Sequence, residues 1–520
     1  MGKDVVILLS FNVLKEPWIP AVDRHGTVKE VGILELLEKS PELVEIRDPS
    51  PLFQFGMYRL LITFLTDLYR PESPDDIGYW LEQGCFDMER IEKYVSDKFP
   101  RFDIFDVEHP FLQVKPNPKF EVESALKSVA NLLPEMPTGN NDLLFNAVLE
   151  NEHAFSPAVC AKALCCMGLF STAGVQNYPS GVNGTPPLYL LIRGENLFET
   201  LAFNTWVPSL ELTSYDDNVV WRSTRFIEPK KKVNDISYIE GLMWPTRRVC
   251  LVPDSRGGLC TYSGKMSAIL IRQIYYQQGL NFDAYNLWQD PHTPSYTTKA
   301  GRSTLKPKPM KPIWRDIGPL LLLKSYQGEK RSLFRPPVVN QYFNLEDHRY
   351  IDSRLNISVE VYGLATDQAK FLTWQLERLY APAVLARSTE EGQNLANLVQ
   401  GCLDIGDKIA ELLKGVVKRL PTQRSKGKTM DSLAERAEAG YWADMREIFF
   451  NEFLQLLKEA DNSSEEVRKN HIIGWNSNVR ITASKWLENS LEQMGNTSDV
   501  FRKGVQARAN LNAGMNKIFG

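Results

Sequence analysis

Apolar residues recur at helical spacing in Phe55, Leu60, Leu61, Phe64, Leu65 and Leu68, which predicts a core helix over Leu52 to Leu68. Before it, short strand-like runs alternate with turns: Val5 to Leu9, then Trp18-Ile19-Pro20, then a short helix near Ile33 to Leu37. A weaker helical stretch covers Leu81 to Val95, and a helix is expected from Pro157 to Phe170. Leu188 to Ile192, Gly318-Pro319-Leu320-Leu321-Leu322-Leu323 and the alternating Ile357 to Val361 read as strands. After Gly363 the pattern changes to long amphipathic helices. The first runs from Asp367 through Leu372, Leu376 and Leu379 to Pro382. The second carries Leu395, Leu398, Cys402, Ile405, Ile409, Leu412 and Val416, the third Tyr441 to Leu456, and the fourth Trp475, Val479 and Trp486, with a basic tail behind. The predicted fold class is therefore α+β: a mixed globular domain over residues 1–363, then an antiparallel four-helix bundle over 364–520.

Composition fits a protein of that kind. A chain of 520 residues with 43 % hydrophobic and 24 % charged residues is too long for one core and has no run near the ~20 apolar residues of a membrane span. The start, Met1-Gly2-Lys3-Asp4 before the apolar run, reads as a buried strand rather than a signal peptide, and the cytoplasm is the expected compartment. Seven scattered cysteines form no CxxC pair, which argues against a disulfide framework and a zinc site. The six histidines show no metal-ligand spacing, and no nucleophile elbow, kinase set or Walker loop is present. The expectation is a protein without catalysis, metal or cofactor. His292, in Trp288-Gln289-Asp290-Pro291-His292, reads as a structural hydrogen-bonder.

Binding signals are local, because the net charge is only −4. From Pro291 to Arg315, Lys299, Arg302, Lys306, Lys308, Lys311 and Arg315 meet no acidic residue, and three prolines keep part of that stretch extended. Arg424, Lys426 and Lys428 form a basic loop between the second and third bundle helices. Small residues and glycines from Ser171 to Thr185, including Gly174, Val175, Gln176 and Asn177, allow close approach of a backbone to another surface. The amide pair Asn340-Gln341 follows Arg335-Pro336-Pro337 at an expected hairpin tip, where uncharged donors and acceptors suit base edges.

Together these stretches resemble the CasA family, the large subunit of the type I-E CRISPR surveillance complex Cascade. The resemblance rests on Asn12 with Glu16-Pro17-Trp18-Ile19-Pro20, Glu108-His109-Pro110-Phe111-Leu112-Gln113 and Gly184-Thr185-Pro186. It continues through Gly241-Leu242-Met243-Trp244-Pro245, Asp290-Pro291-His292-Thr293-Pro294, Val338-Val339-Asn340-Gln341 and the terminal helices. It implies a non-catalytic subunit that reads the protospacer-adjacent motif (PAM) of double-stranded DNA and starts its unwinding. A glutamine wedge on a β-hairpin falls on Gln341 beside Asn340, and a glycine loop at the minor groove on Gly174 to Gly181. A further loop toward the crRNA 5′ handle or the PAM falls on Leu144-Phe145-Asn146. Implied partners are the other Cascade subunits, crRNA, target DNA and a recruited helicase-nuclease. The rival readings are a metal-dependent nuclease subunit with a dispersed site, and a purely protein-binding helical scaffold.

Overall fold

The computed structural model describes all residues except 1–8, 97, 115–122, 137–152, 173–177, 179–180, 209–220, 222–229, 233–234, 283–287, 300, 310, 323–325, 328–331, 353–355, 368–369, 421–427, 455–464 and 520. Strands β1 (Ile19–Asp23), β2 (Val28–Val31) and β3 (Leu43–Ile46) form an antiparallel sheet of order β2-β1-β3, with α1 (Ile33–Lys39) between its last two strands. Helix α2 (Pro51–Tyr69) follows, with Pro51 at its first turn and the Ser50 hydroxyl accepting the Phe53 N–H. Its residues from Pro51 to Leu68 are all buried, so the helix is a central strut wrapped on every side.

The weak helical stretch after it is two helices, α3 (Pro74–Gln83) and α4 (Met88–Ser96), separated at Gly84, whose φ of 72° ends α3. A short strand β4 (Leu126–Ser128) precedes α5 (Pro157–Phe170), which lies along α2. There the Gly56 backbone passes so close to Cys166 that a Cβ would sit 2.9 Å from it. Next come β5 (Tyr189–Ile192), α6 (Leu197–Asn204), β6 (Lys230–Lys231) and α7 (Tyr238–Leu242). Strands β7 (Arg247–Asp254), β8 (Gly258–Leu259), β9 (Met266–Ser267), β10 (Leu270–Gln278) and β11 (Asn281–Phe282) follow. The largest of their pairings is β7 with β10, to which β4 adds an edge.

A four-stranded antiparallel sheet of order β13-β12-β15-β14 is built from β12 (Ser295–Thr298), β13 (Gly301–Thr304), β14 (Tyr326–Gln327) and β15 (Ser332–Phe334). The leucine run expected as a strand is a buried π-helical turn, Gly318–Leu322. An unbroken apolar run carries no period, so burial alone cannot tell the two apart. The expected hairpin tip is likewise a helix, α8 (Pro337–Asp347). Pro336 and Pro337 start it rather than turn the chain, since proline at the first helical position loses no hydrogen bond.

Asp367 to Pro382, expected as the first amphipathic helix, belong to a long β-hairpin. The described residues of this stretch form no helix: β17 (Lys370–Pro382) pairs with β16 (Asn356–Asp367) over their whole length, and β5 lies on the other side of β16. Leu372, Leu376 and Leu379 fit a helical stripe, yet Leu372, Trp374, Leu376 and Tyr380 alternate on the exposed face of the strand. Residue 363 sits in mid-strand opposite Gln375, so the change from sheet to helix falls after Pro382 and not at 363/364.

Four long helices then follow: α9 (Glu390–Lys418), α10 (Lys428–Ile448, prolonged by a π turn Phe449–Phe453), α11 (Glu465–Gln493) and α12 (Ser498–Phe519). Lys414 meets Glu438 and Lys418 meets Asp431, so α9 and α10 run antiparallel. Asp444 meets Lys485 and Trp486, while Phe449 packs on Trp475; Glu488 meets Arg508 and Arg480 meets Asn516. Those pairs set α10 against α11 and α11 against α12 in the same antiparallel sense. The residues read as a basic tail are the fourth helix. Trp314 joins this layer to the sheets by packing on Trp442 and Phe449.

Candidate nucleic-acid interface

The register of the four-stranded sheet decides where its turns point. Thr297, near the end of β12, pairs with Arg302 on one side and Ser332 on the other, and Ser332 pairs with Gln327. The β12–β13 turn and the ends of β14 and β15 that its connection joins therefore lie at one end of the sheet. Lys299 stands exposed in the first turn. Gln327 is the last residue of β14 at the second. Arg302 is half-buried and donates to the Ser295 hydroxyl at 3.0 Å; burial lowers its pKa.

Of the remaining cations in this basic stretch, Lys306 and Lys308 are exposed on the segment leaving β13. The Gln375 amide holds that segment by donating to the Lys308 carbonyl at 3.1 Å. Lys311 and Arg315 are different: each is tied to a carboxylate, Asp316 and Asp407 respectively, and Arg315 also covers the Trp442 ring. A stretch without acids in sequence thus meets acids in space, and only part of it remains available for phosphate.

The amide pair lies within α8, away from any hairpin tip. Gln341 is 5 % exposed; its Oε1 accepts the Val207 N–H at 2.8 Å and its Nε2 donates to the Thr205 carbonyl at 2.9 Å. Asn340 Oδ1 accepts from Arg335 Nε at 2.7 Å. Arg335 in turn donates to the carbonyls of Leu321 and Ala386 and to the Ser388 hydroxyl, and burial without a carboxylate partner pulls its pKa down. In this helix the Gln341 amide holds backbone and the Asn340 amide holds the Arg335 guanidinium, so neither presents a wedge. The sequence signal that was missed is Gln327-Gly328 between Tyr326 and Ser332-Leu333-Phe334, a glycine turn between strand formers that are too short to show alternation.

Gly174, Val175, Gln176 and Asn177 lie outside the described residues, but both stems of their loop are fixed. On the near side, Thr246 Oγ1 donates to Ser171 Oγ at 3.0 Å and Arg247 Nη2 donates to the Thr172 carbonyl at 3.1 Å. On the far side, Tyr178 packs under the Arg247 guanidinium, 5.1 Å from its ring centre, and 5.9 Å from the Tyr276 ring. Gly181 crosses Gly168 so closely that a Cβ would stand 2.8 Å from the Gly168 carbonyl oxygen. Leu144, Phe145 and Asn146, and likewise Arg424 and Lys426, also lie outside the described residues. Lys428 opens α10. Glu135, shortly before the undescribed segment that contains Leu144, is half-buried with its Oε2 enclosed, and that burial pushes its carboxyl up to about 7.

Behind the sheet is a buried polar node. Asp290 accepts both Arg59 Nη2 contacts, at 2.8 and 2.9 Å, the His292 N–H at 2.9 Å and Asn183 Nδ2 at 2.9 Å. Burial pushes the Asp290 carboxyl up, but Arg59 and His292 hold it below the usual range. Burial, helped by Arg59, pulls His292 down to about 4; its Nε2 lies 3.0 Å from the Asn204 carbonyl. His292 is the structural hydrogen-bonder expected there. Among the described residues no group of three or more His, Cys, Asp or Glu is placed to hold a metal, and no helix is long and apolar enough to cross a membrane.

The model of the CRISPR-associated protein Cse1 family matches residues 12–485. The chain belongs to that family. CasA/Cse1 of Thermus thermophilus is 29 % identical over 507 residues, 91 % of this chain and 93 % of the relative. The crystal structure of Thermus thermophilus CasA superposes with a TM-score of 0.72 at 23 % identity, covering 98 % of this chain and 100 % of that one. A chain of a CRISPR RNA-guided surveillance complex superposes with a TM-score of 0.73 at 17 % identity, covering 96 % and 99 %. The mixed α+β character is thus that of solved Cse1 structures. The motifs that carried the resemblance are mostly framework in this Cse1 family member. Asn12 caps its own turn by accepting the Leu14 N–H, Gln113 accepts the Leu251 N–H, and Gly241 lies against the Trp288 ring.

Proposed function

We propose that this chain is the non-catalytic large subunit of a crRNA-guided surveillance complex, that it recognises the PAM of double-stranded DNA, and that it opens the duplex there to start R-loop formation. The observation that carries the proposal is the Cse1 family match over residues 12–485. The fold similarity to a chain of a CRISPR RNA-guided surveillance complex supports assembly with other subunits and crRNA. In this reading the loop containing Gly174, Val175, Gln176 and Asn177 approaches the minor groove, whose degenerate pattern suits tolerance of several PAMs. Leu144, Phe145 and Asn146 serve the crRNA 5′ handle or the PAM flank. Lys299, Lys306 and Lys308 meet phosphates, as do Arg424, Lys426 and Lys428 from the helical part.

The wedge is assigned to Gln327 and not to Gln341, because Gln327 ends a hairpin strand while Gln341 is buried within α8. Opening one base step costs on the order of a few kcal/mol. A wedge that holds the step open lowers the barrier to seed pairing with the guide, which then reads the sequence. The four C-terminal helices form the surface for neighbouring subunits and the displaced strand. Once the R-loop has formed, the subunit recruits a helicase-nuclease.

The test is target binding and strand opening by the reconstituted guide-RNA complex, with this subunit wild type, omitted, or carrying Gln327→Ala. PAM-dependent binding that needs the subunit, with opening impaired by Gln327→Ala, is expected. Equal binding and opening in all three samples would overturn the proposal.

A further inference from the structure

We propose that Asn183 is a positioning residue for PAM discrimination, acting through Asp290 to hold the end of the glycine-containing loop in register with the hairpin sheet. The inference rests on the DNA-reading function proposed above and names a residue that the proposal does not use. Asn183 is 3 % exposed and sits in a tight turn in which the Gly184 N–H donates to the Gly181 carbonyl at 2.9 Å. Gly184 has a φ of 72°, a conformation glycine adopts without strain. Six residues upstream is Asn177, the last of the four loop residues assigned to the groove, so a displaced turn moves the loop's far stem.

Two contacts tie that turn to the sheet. Asn183 Nδ2 donates to Asp290 Oδ2 at 2.9 Å, and Thr304 Oγ1, from the last residue of β13, approaches the Asn183 carbonyl at 3.5 Å. Asp290 lies five residues before β12, and the Leu305 N–H donates to the Pro294 carbonyl at 3.0 Å, closing the base of the hairpin that carries Lys299. Asp290 itself is anchored on α2 through Arg59, which is fully buried with its guanidinium over the Phe55 and Tyr189 rings. One carboxylate therefore joins the central helix, the loop end and the hairpin sheet. The Arg59 pair secures Asp290 without Asn183, so the asparagine amide adds a link to the loop and no charge balance to the core. A hydrogen bond to a carboxylate is about twice as strong as one between neutral groups, which suits it to fixing a loop stem.

The experiment compares targets with and without the PAM, bound by the reconstituted complex carrying wild type, Asn183→Ala or Asn183→Asp. Subunit melting temperature and retention in the complex are followed alongside. Asn183→Ala is expected to lower the PAM preference by about tenfold, the scale of one hydrogen bond to a charged group, with affinity for PAM-less DNA and retention unchanged. Asn183→Asp places a second carboxyl beside Asp290, faced also by Arg59, His292 and Tyr189. Its preference is expected to fall at pH 8 and recover toward pH 6 as one carboxyl takes a proton and donates. A purely structural role predicts that melting temperature and retention follow pH in this variant while PAM preference does not. Wild-type preference retained by Asn183→Ala, or by Asn183→Asp at pH 8, would overturn the assignment, as would unfolding of both variants. A wild-type complex without PAM preference would instead overturn the DNA-reading proposal itself.

Discussion

Gln341 has both ends of its amide committed to the backbone after α6, at Val207 and Thr205. Gln341→Ala is expected to strand a buried N–H and a buried carbonyl and to cost roughly 1–3 kcal/mol in a denaturant melt. DNA opening by the folded complex should be unchanged, the opposite of the result expected for Gln327→Ala. Two titratable groups shifted by burial give pH slopes of opposite sign. Glu135 is pushed up to about 7 from 4.5 by burial, so its contribution is fully present below pH 4.5 and is lost as pH rises through 7. Glu135→Gln should raise the melting temperature at pH 8, by a margin worth roughly 3 kcal/mol, and leave it unchanged at pH 4.5. His292 is pulled down to about 4 from 6.5 by burial, so its contribution is present above pH 6.5 and lost as pH falls toward 4. His292→Gln should flatten that acid limb in the same melts.

At the scale of elements, the four C-terminal helices show how neighbours decide what a residue costs. Gly415 in α9 has open space where a Cβ would go, so Gly415→Ala should stabilise by up to roughly 1 kcal/mol through helix propensity. Gly440 in α10 has the Trp486 ring 2.1 Å from that position. Gly440→Ala should destabilise by roughly 1–3 kcal/mol, because the ring must leave both its packing and its bond to Asp444. Parallel thermal melts of the two variants check the pair. The β16–β17 hairpin makes the same point about legibility. Ile357 to Val361 shows its alternation and reads correctly, whereas Leu372, Leu376 and Leu379 suit a helical stripe although the strand puts Leu379 on the buried face and the other two on the exposed one. Pairing with β16, twelve residues long, settles which period applies.

For the whole molecule, a net charge of −4 means that DNA affinity must come from a local surface. Replacing Lys299, Lys306 and Lys308 with alanine should weaken target binding uniformly across sequences. It should also reduce the salt slope of log affinity by about one per lysine. Lys311→Ala and Arg315→Ala should leave that slope as it is, since both cations are already paired with Asp316 and Asp407. Titrating the reconstituted complex against salt separates the two groups.

The amino-acid sequence by itself determined the elements whose period is long and unambiguous: α2, α5, α9 and the buried strand β5. It also carried the family resemblance, because Trp18, Gln113, Gly241 and Asp290 occupy framework positions, although the contacts that hold the last three come from far along the chain. Only the tertiary structure decided that Pro336-Pro337 starts a helix, that Gln341 is buried, that Lys311 and Arg315 meet acids, and that the β12–β13 turn shares one end of a sheet with the end of β14 and the start of β15. Lys311 meets an acid five residues on, but the others depend on distant partners: Asp407 is 92 residues from Arg315, and Thr205 is 136 residues from Gln341. Period and turn chemistry are local properties, while burial, charge pairing and strand register are set by which distant segments the folded chain brings together.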